Sequence, residues 1–422
     1  MAEKTLPFDI ITEILTRLPV KPLTRFKSVS KLWNSLINSP NFIKLHLSKT
    51  LISENQNPNL ICSSFSIFTA TITNAAIFRF TELHHPLLQF PDYHCVKILG
   101  SCNGVVCISS FDGAYICLYN PTTGSHQLLP VQPSRFPKPN PETIFRAHDH
   151  RPKTEEHLFV YGFGYDSVND DYKLVRILEF YRNSVFVGTE VCMFSLKNYS
   201  WKYIDIVGNV YLNYGGLQEC NAALFNEVLY FIVNDGKITP FVRCFNLQTE
   251  TFSIMDLPKF DDNFFMFCLA MGQVGGCLSF FVNYNNVDHG ASNYSRLMRA
   301  DFWIMKEGSW VRLFSISDTS SIGASVDIIA LVYSKDRQKI LLNLDGRVFG
   351  WYDWEKRSIV RALVHGLPLY TASFNFDTWT YVESLVSFGN RNYNSKGKTT
   401  VPTKKKKNDV DRFLSSGFKL KL

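Results

Sequence analysis

The chain has 422 residues, 45% of them hydrophobic, enough to bury a sizeable core and too many for one ordinary domain. Its formal charge of +7 is confined to one end: from Lys396 onward nine basic residues face two acidic ones, and residues 1–395 are formally neutral. A neutral body has no field to draw nucleic acid or an anionic membrane, and no uninterrupted apolar stretch approaches spanning length. The opening MAEKTLPFD has no apolar signal segment, so the expectation is a soluble, non-secreted protein of the cytoplasm, the nucleus or both. Ten cysteines are scattered without a C-x-x-C pair, most of them inside strand-like runs such as residues 105–108, and read as reduced, buried thiols.

Residues 6–47 carry the first pattern. Apolar residues fall at Ile10, Ile14 and Leu18, then at Leu23, Phe26, Trp33 and Ile37, with Ser30 in the same register. Steps of three and four place each set on one helix face. Pro19, Pro22 and Pro40 interrupt the pattern, since proline lacks a backbone donor and clashes with the preceding turn. The spacing predicts three short amphipathic helices with more apolar surface than so small a bundle can cover, hence a docking partner. The segment resembles the F-box: Leu6-Pro7, Ile14-Leu15, Leu18-Pro19, residues 29–33 (VSKLW), Phe42 and His46-Leu47 all align without a gap. Ser30 departs from the family's usual cysteine. The resemblance implies docking on a SKP-type adaptor and, through it, a cullin scaffold. By position it implies that Leu6, Pro7, Ile10, Ile14, Leu15, Leu18, Pro19, Leu23, Val29 and Trp33 make or shape that surface. Helix-in-groove recognition uses anchors spaced in this way.

From about residue 60 to 388 short strands rich in Val, Ile, Phe, Tyr and Leu alternate with Gly, Asn, Asp and Pro turns. One unit recurs: an apolar strand, a polar turn and a second strand often closing on Leu-Pro. It occupies residues 116–130, 191–206, 242–258, 300–316 and 347–364, with a weaker copy at 76–91. Copies about 50 to 75 residues apart are spaced as four-stranded propeller blades are. The expected fold is α+β overall, a small N-terminal helical module followed by an all-β propeller. Six units predict six blades, with seven or eight as alternatives and a β-sandwich pair as the rival architecture. Residues 379–386 are the candidate strand to close the ring on the first blade.

A second resemblance lies in this region. The residues LGSCNG (99–104), NPTTG (120–124), YGFGYD (161–166), DYKLV (171–175) and Ser200-Trp201 are similar to the plant F-box-associated, kelch-like domain. So are WIMKE (303–307), Ser309-Trp310 and YVESL (381–385). Tyr119 stands where the family usually has tryptophan; either fills a core aromatic slot. The two resemblances imply an F-box at 1–50, a propeller that binds a target protein at 60–388, and a basic tail at 389–422 with the composition of a disordered segment. Together they imply the substrate-recognition subunit of an SCF-type ubiquitin ligase, with a non-degradative adaptor-bound scaffold as the alternative.

The expectation is a protein without enzymatic activity or cofactor. No phosphate-binding loop, H-E-x-x-H or G-x-S-x-G is present, and Gly162-Phe163-Gly164 lacks the third glycine of a dinucleotide fingerprint. His148, His150 and His157 sit in a proline-rich loop and read as solvated side chains rather than a metal site. That loop, residues 131–157, contains five prolines and is the first candidate for target binding. Arg135, Phe136, Phe145 and Arg146 within it are of the types that anchor interfaces, as are Tyr211 and Tyr214 in a later turn. Residues 260–267 and an Asn-rich turn at 283–293 are further candidates. Lys404, Lys405, Lys406 and Lys407 read either as a nuclear import signal or as a solvated tail.

Overall fold

Four helices, rather than three, open the chain: α1 Phe8–Leu15, α2 Val20–Phe26, α3 Lys31–Ile37 and α4 Pro40–Ile52. In this computed structural model the described residues are 7–52, 58–72, 77–90, 95–110, 113–136, 155–183, 185–206, 211–212, 221–234, 240–260, 266–287, 295–317, 327–346, 348–368 and 376–388. The fourth helix exists because Pro40, which ends α3, is itself suited to a first helical position, where no backbone donor is missed. Ser39 caps it, accepting a hydrogen bond from the Phe42 N–H at 3.2 Å. Ser30 does the same for α3, accepting from the Trp33 N–H at 3.1 Å. The residue that departs from the F-box pattern is therefore a helix cap. Leu15, Val20, Leu23, Ile37 and Phe42 form the core of the bundle, and Leu385, distant in sequence, completes it.

Among the described residues the strands form six antiparallel blades, five of four strands and one of five, and Leu363–His365 pairs in parallel with Ile77–Arg79 as a separate two-stranded sheet. Blade 1 is built from Asp377–Tyr381, Asn59–Ser63, Ile67–Thr71 and Thr81–Leu83, in that order from the centre. Blade 2 contains Val96–Cys102, Val105–Ser110, Ile116–Tyr119 and His126–Leu128, and blade 3 contains Glu155–Asp166, Asp171–Arg182, Val185–Ser195 and Ser200–Tyr203. Blade 4 shares its first position between Tyr211–Leu212 and Ala223–Phe225, followed by Val228–Asn234, Pro240–Asn246 and Thr251–Met255. Blade 5 is Met266–Val274, Cys277–Val287, Ser295–Lys306 and Ser309–Ile316; blade 6 is Ile328–Tyr333, Lys339–Leu344, Val348–Asp353 and Ser358–Arg361. The first strands of successive blades touch in an unbroken circle that returns from blade 6 to blade 1. The predicted closing strand is present but ends early: Asp377–Tyr381 pairs with Asn59–Ser63, and residues 382–386 continue as non-strand backbone.

Apolar side chains fill the seams between blades. Phe281, Phe302, Ile340 and Tyr352 lie between blades 5 and 6, and Val175, Ile177, Phe231 and Phe245 between blades 3 and 4. Polar staples reinforce them. Asn283 donates to the Ile328 carbonyl at 3.1 Å and accepts from the Ile328 N–H at 3.2 Å, so its amide imitates a ladder residue across blades. Asn283 is buried within a strand, which corrects the expectation that the Asn-rich turn begins there. Between blades 3 and 4 the buried Lys173 ammonium is held by Asp166 at 2.8 Å, Glu250 at 2.8 Å and the Leu247 carbonyl at 2.6 Å. Removing one partner of such a set strands a buried charge.

One end of the ring is formed by the turns between first and second strands. Its glycines are placed by shape: Gly104 has φ +77°, and a Cβ there would lie 2.3 Å from Ser384 Oγ. Across this end the Ser167 N–H donates to Glu227 at 3.1 Å. The helices sit here, with Lys44 paired to Asp170 at 2.6 Å and Lys21 to Glu383 at 3.3 Å. Two substitutions test how the bundle is held. Leu23→Ala should destabilise it by about 2–5 kcal/mol through a cavity, and Ser30→Ala by about 1 kcal/mol through loss of the cap. Hydrogen exchange of the α2 and α3 amides reads both, and blade amides should exchange as before.

Candidate docking surfaces

The helical module offers the first surface. Ile10 and Ile14 are one turn apart on α1 and about half exposed, at 47% and 49%. Val29, in the turn before α3, is 61% exposed, and Pro7 and Pro19 are also exposed. Leu18 and Trp33 are half-buried against the bundle core, Trp33 edge-on to Phe26 with ring centres 5.6 Å apart. Leu15 and Leu23, at 1% and 0% exposure, hold the helices together from beneath and can shape that surface only through the core. Phe8 and Leu32, which sequence reasoning passed over, are exposed. Both lie outside the apolar sets spaced by threes and fours, so that pattern did not single them out. Leu6 lies outside the described residues.

The second surface lies at the end of the ring away from the helices. Blades 3 and 5 have strands of nine to twelve residues in their first three positions and extend farther there than their neighbours. The start of the proline-rich loop is pinned to blade 3. Arg176 is buried beside Glu190 at 2.6 Å and also donates to the Pro133 carbonyl at 2.7 Å and to Gln132 at 3.0 Å. Tyr161 OH donates to the same Gln132 oxygen at 3.0 Å, and the Arg135 N–H to Glu190 at 2.6 Å. Residues 131–136 are therefore ordered by a buried ion pair, and residues 155–157 belong to the first strand of blade 3.

Of the residues expected to meet a target, Arg135 is exposed with its guanidinium 4.1 Å from the centre of the Tyr203 ring. Phe136 is half-buried and stacks on Phe180, ring centres 4.9 Å apart, and His157 tilts onto the same ring at 4.9 Å. Tyr211 packs on Phe186 at 4.5 Å, and Phe186 meets Tyr181 at 5.6 Å. Val185 and Val187, at the hairpin tip, are exposed. The far end of blade 3 is thus an aromatic ridge with two sides, Phe136 and His157 on Phe180 against one face and Tyr211 with Phe186 and Tyr181 against the other; sequence reasoning missed Tyr181, Val185, Phe186 and Val187 because they read as ordinary strand. Phe145, Arg146, Tyr214, Lys404, Lys405, Lys406 and Lys407 lie outside the described residues, as do His148 and His150.

Beneath the ridge the Glu179 carboxylate is buried. It accepts from the Leu212 N–H and, at 3.1 Å, from Tyr181 OH, tying the ridge to the Tyr211–Leu212 strand. Burial pushes its pKa up to about 7. The central channel holds a cavity of about 310 Å³, lined among others by Ser101, Asn221, Gln273, Asp377 and Trp379. Among the described residues, no three His, Cys, Asp or Glu side chains gather as a metal site.

A helical bundle with a half-exposed apolar stripe, seated on one end of a six-bladed propeller whose other end carries an aromatic ridge, defines a two-surface binding protein. Residues 4–45 match the F-box domain and residues 51–326 the F-box associated beta propeller domain, so the chain belongs to the F-box proteins with that propeller. It is 28% identical over 450 residues to F-box protein CPR1 of Arabidopsis thaliana, covering 99% of this chain and all of the relative. F-box protein At4g22390 of the same plant is 27% identical over 443 residues, 99% of each chain. Its putative F-box/kelch-repeat protein At1g12870 is 30% identical over 337 residues, 75% of this chain and 72% of the relative.

Glu179 makes a pH test of the ridge. The folded protein keeps this proton to about pH 7, whereas an unfolded carboxyl releases it near 4.5, so the stability it contributes is lost as pH rises between those values. Glu179→Gln should remove that loss. Urea midpoints of the two proteins should diverge from pH 4.5 to 7, in favour of the variant, and stay parallel above about 7.

Proposed function

We propose that this protein is the substrate-recognition subunit of an SCF-type ubiquitin ligase. The helices hold a SKP-type adaptor and through it a cullin scaffold, and the propeller presents a target protein for ubiquitination and degradation. The observation that carries this reading is the half-exposed pair Ile10 and Ile14 on a module matching the F-box domain. A lone bundle has no use for such a stripe, and a groove-binding helix does. The ridge around Phe136, Phe186 and Tyr211 is the proposed target face, because aromatic residues with adjacent arginine anchor interfaces.

In this reading the chain forms no covalent intermediate and is not itself a catalyst. It raises the local concentration of the target beside the conjugating enzyme, and the rate gain is that of an intramolecular encounter. It would act in the cytoplasm, the nucleus or both.

The test is capture of a plant SKP-type adaptor by the purified full chain. Ile10→Asp with Ile14→Asp should weaken capture at least 100-fold, corresponding to about 3 kcal/mol, since each anchor is worth roughly 1–2 kcal/mol or more. Thermal unfolding of the propeller should be unchanged. Failure of the parent chain to capture any adaptor would overturn the reading. Capture without a change in target abundance would favour a non-degradative scaffold.

A further inference from the structure

Residues 382–386, just beyond the ring-closing strand, touch three parts of the molecule at once. Behind them the Tyr381 ring is buried between blades 1 and 2. To one side Asn120 of blade 2 grips the backbone, its Nδ2 donating to the carbonyls of Ser384 at 3.0 Å and Val386 at 2.8 Å. The same nitrogen lies 3.2 Å from Ser384 Oγ. The amide is fixed from its other end, where Oδ1 accepts from the Thr122 N–H at 2.9 Å. Gly104 leaves just enough room for Ser384, which is fully buried. In front, Leu385 enters the core of the helical bundle with Leu15, Leu23, Ile37 and Phe42.

We propose that Leu385 and Asn120 are positioning residues that fix the direction of the helical module relative to the propeller. Two ion pairs also cross this junction, but Lys44, Asp170 and Lys21 are largely exposed and such pairs hold little orientation in salt. A buried leucine whose two neighbouring carbonyls, those of Ser384 and Val386, are held by one fixed side-chain amide has one low-energy placement. The strap belongs at once to the closed ring and to the bundle. Where the helices carry the adaptor, an assignment that rests on the ligase-receptor reading, this junction sets the distance and angle at which the ridge presents its target. Lysines outside that zone are then out of reach however tightly the target binds.

The experiment uses the full chain with spin labels carried by encoded unnatural residues at the exposed positions Asp9 and Glu307, and reads the distance distribution by pulsed electron resonance. The parent should give one narrow distribution. Leu385→Ser should at least double its width, and Leu385→Met should restore it, which a merely destabilising role would not predict. Asn120→Ala frees the strap without touching the helical core and should also broaden the distribution, so the test stands even where Leu385→Ser fails to fold. A broad distribution in the parent, or an unchanged one in folded Asn120→Ala and Leu385→Ser, overturns the proposal. Adaptor capture by the same preparations separates the two ideas: its loss in the parent rejects the ligase reading and leaves the distance result standing.

Discussion

Pairing of Asp377–Tyr381 with Asn59–Ser63 is the constraint on which the rest of the propeller depends. The five residue pairs, from Asn59 opposite Tyr381 to Ser63 opposite Asp377, join backbone separated by 316 residues at Cys62 and Thr378. The entropic cost of closing so long a loop grows only with the logarithm of its length, so it is a modest addition once the intervening blades have folded. The gain is cooperative. Each blade is a twisted sheet whose two faces need neighbours, and only a closed ring supplies two neighbours to all six. With the ring closed, the seam residues Phe281, Phe231 and Phe349 are covered on both sides. The closing strand also delivers the strap that reaches the helices.

Much of this was legible in the sequence, and the reasons differ from place to place. The blades were visible because hairpins repeat at propeller spacing, and the units at 116–130 and 191–206 correspond to the third and fourth strands of blades 2 and 3. The short motifs had been matched only as similarity. Their physical sense is that LGSCNG supplies Gly104, NPTTG supplies Asn120 and YVESL supplies Ser384 and Leu385, and these meet in space. Glycine is required where Ser384 approaches, and asparagine where one side chain must both cap a turn and clamp a strap.

Other features were hidden because periodicity specifies a face and not what covers it. Leu15 and Ile14 are adjacent in the F-box pattern, yet one is core and the other exposed, and the bundle's own packing decides between them. Pro40 reads equally well as an end or a beginning; Ser39 before it was the cue to a beginning. Asn283 looked like a turn residue by composition, whereas its burial is made tolerable by two hydrogen bonds to Ile328 in the next blade. The hairpin tip at Val185 and Val187 escaped notice because β-branched residues signal a strand without saying that the strand runs past its partners. Its fourth strand covers only the Cys192–Ser195 part.

The sharing of Leu385 has a consequence during synthesis. The helices emerge from the ribosome first, but the residue that completes their core is made last among those that build the ring. At the usual pace of translation the interval is on the order of tens of seconds. Throughout it the nascent bundle lacks part of its core, and a chain broken off within the propeller never acquires it. On the proposed reading, an adaptor binding at the helices would thus meet a finished surface chiefly on chains whose propeller is also finished.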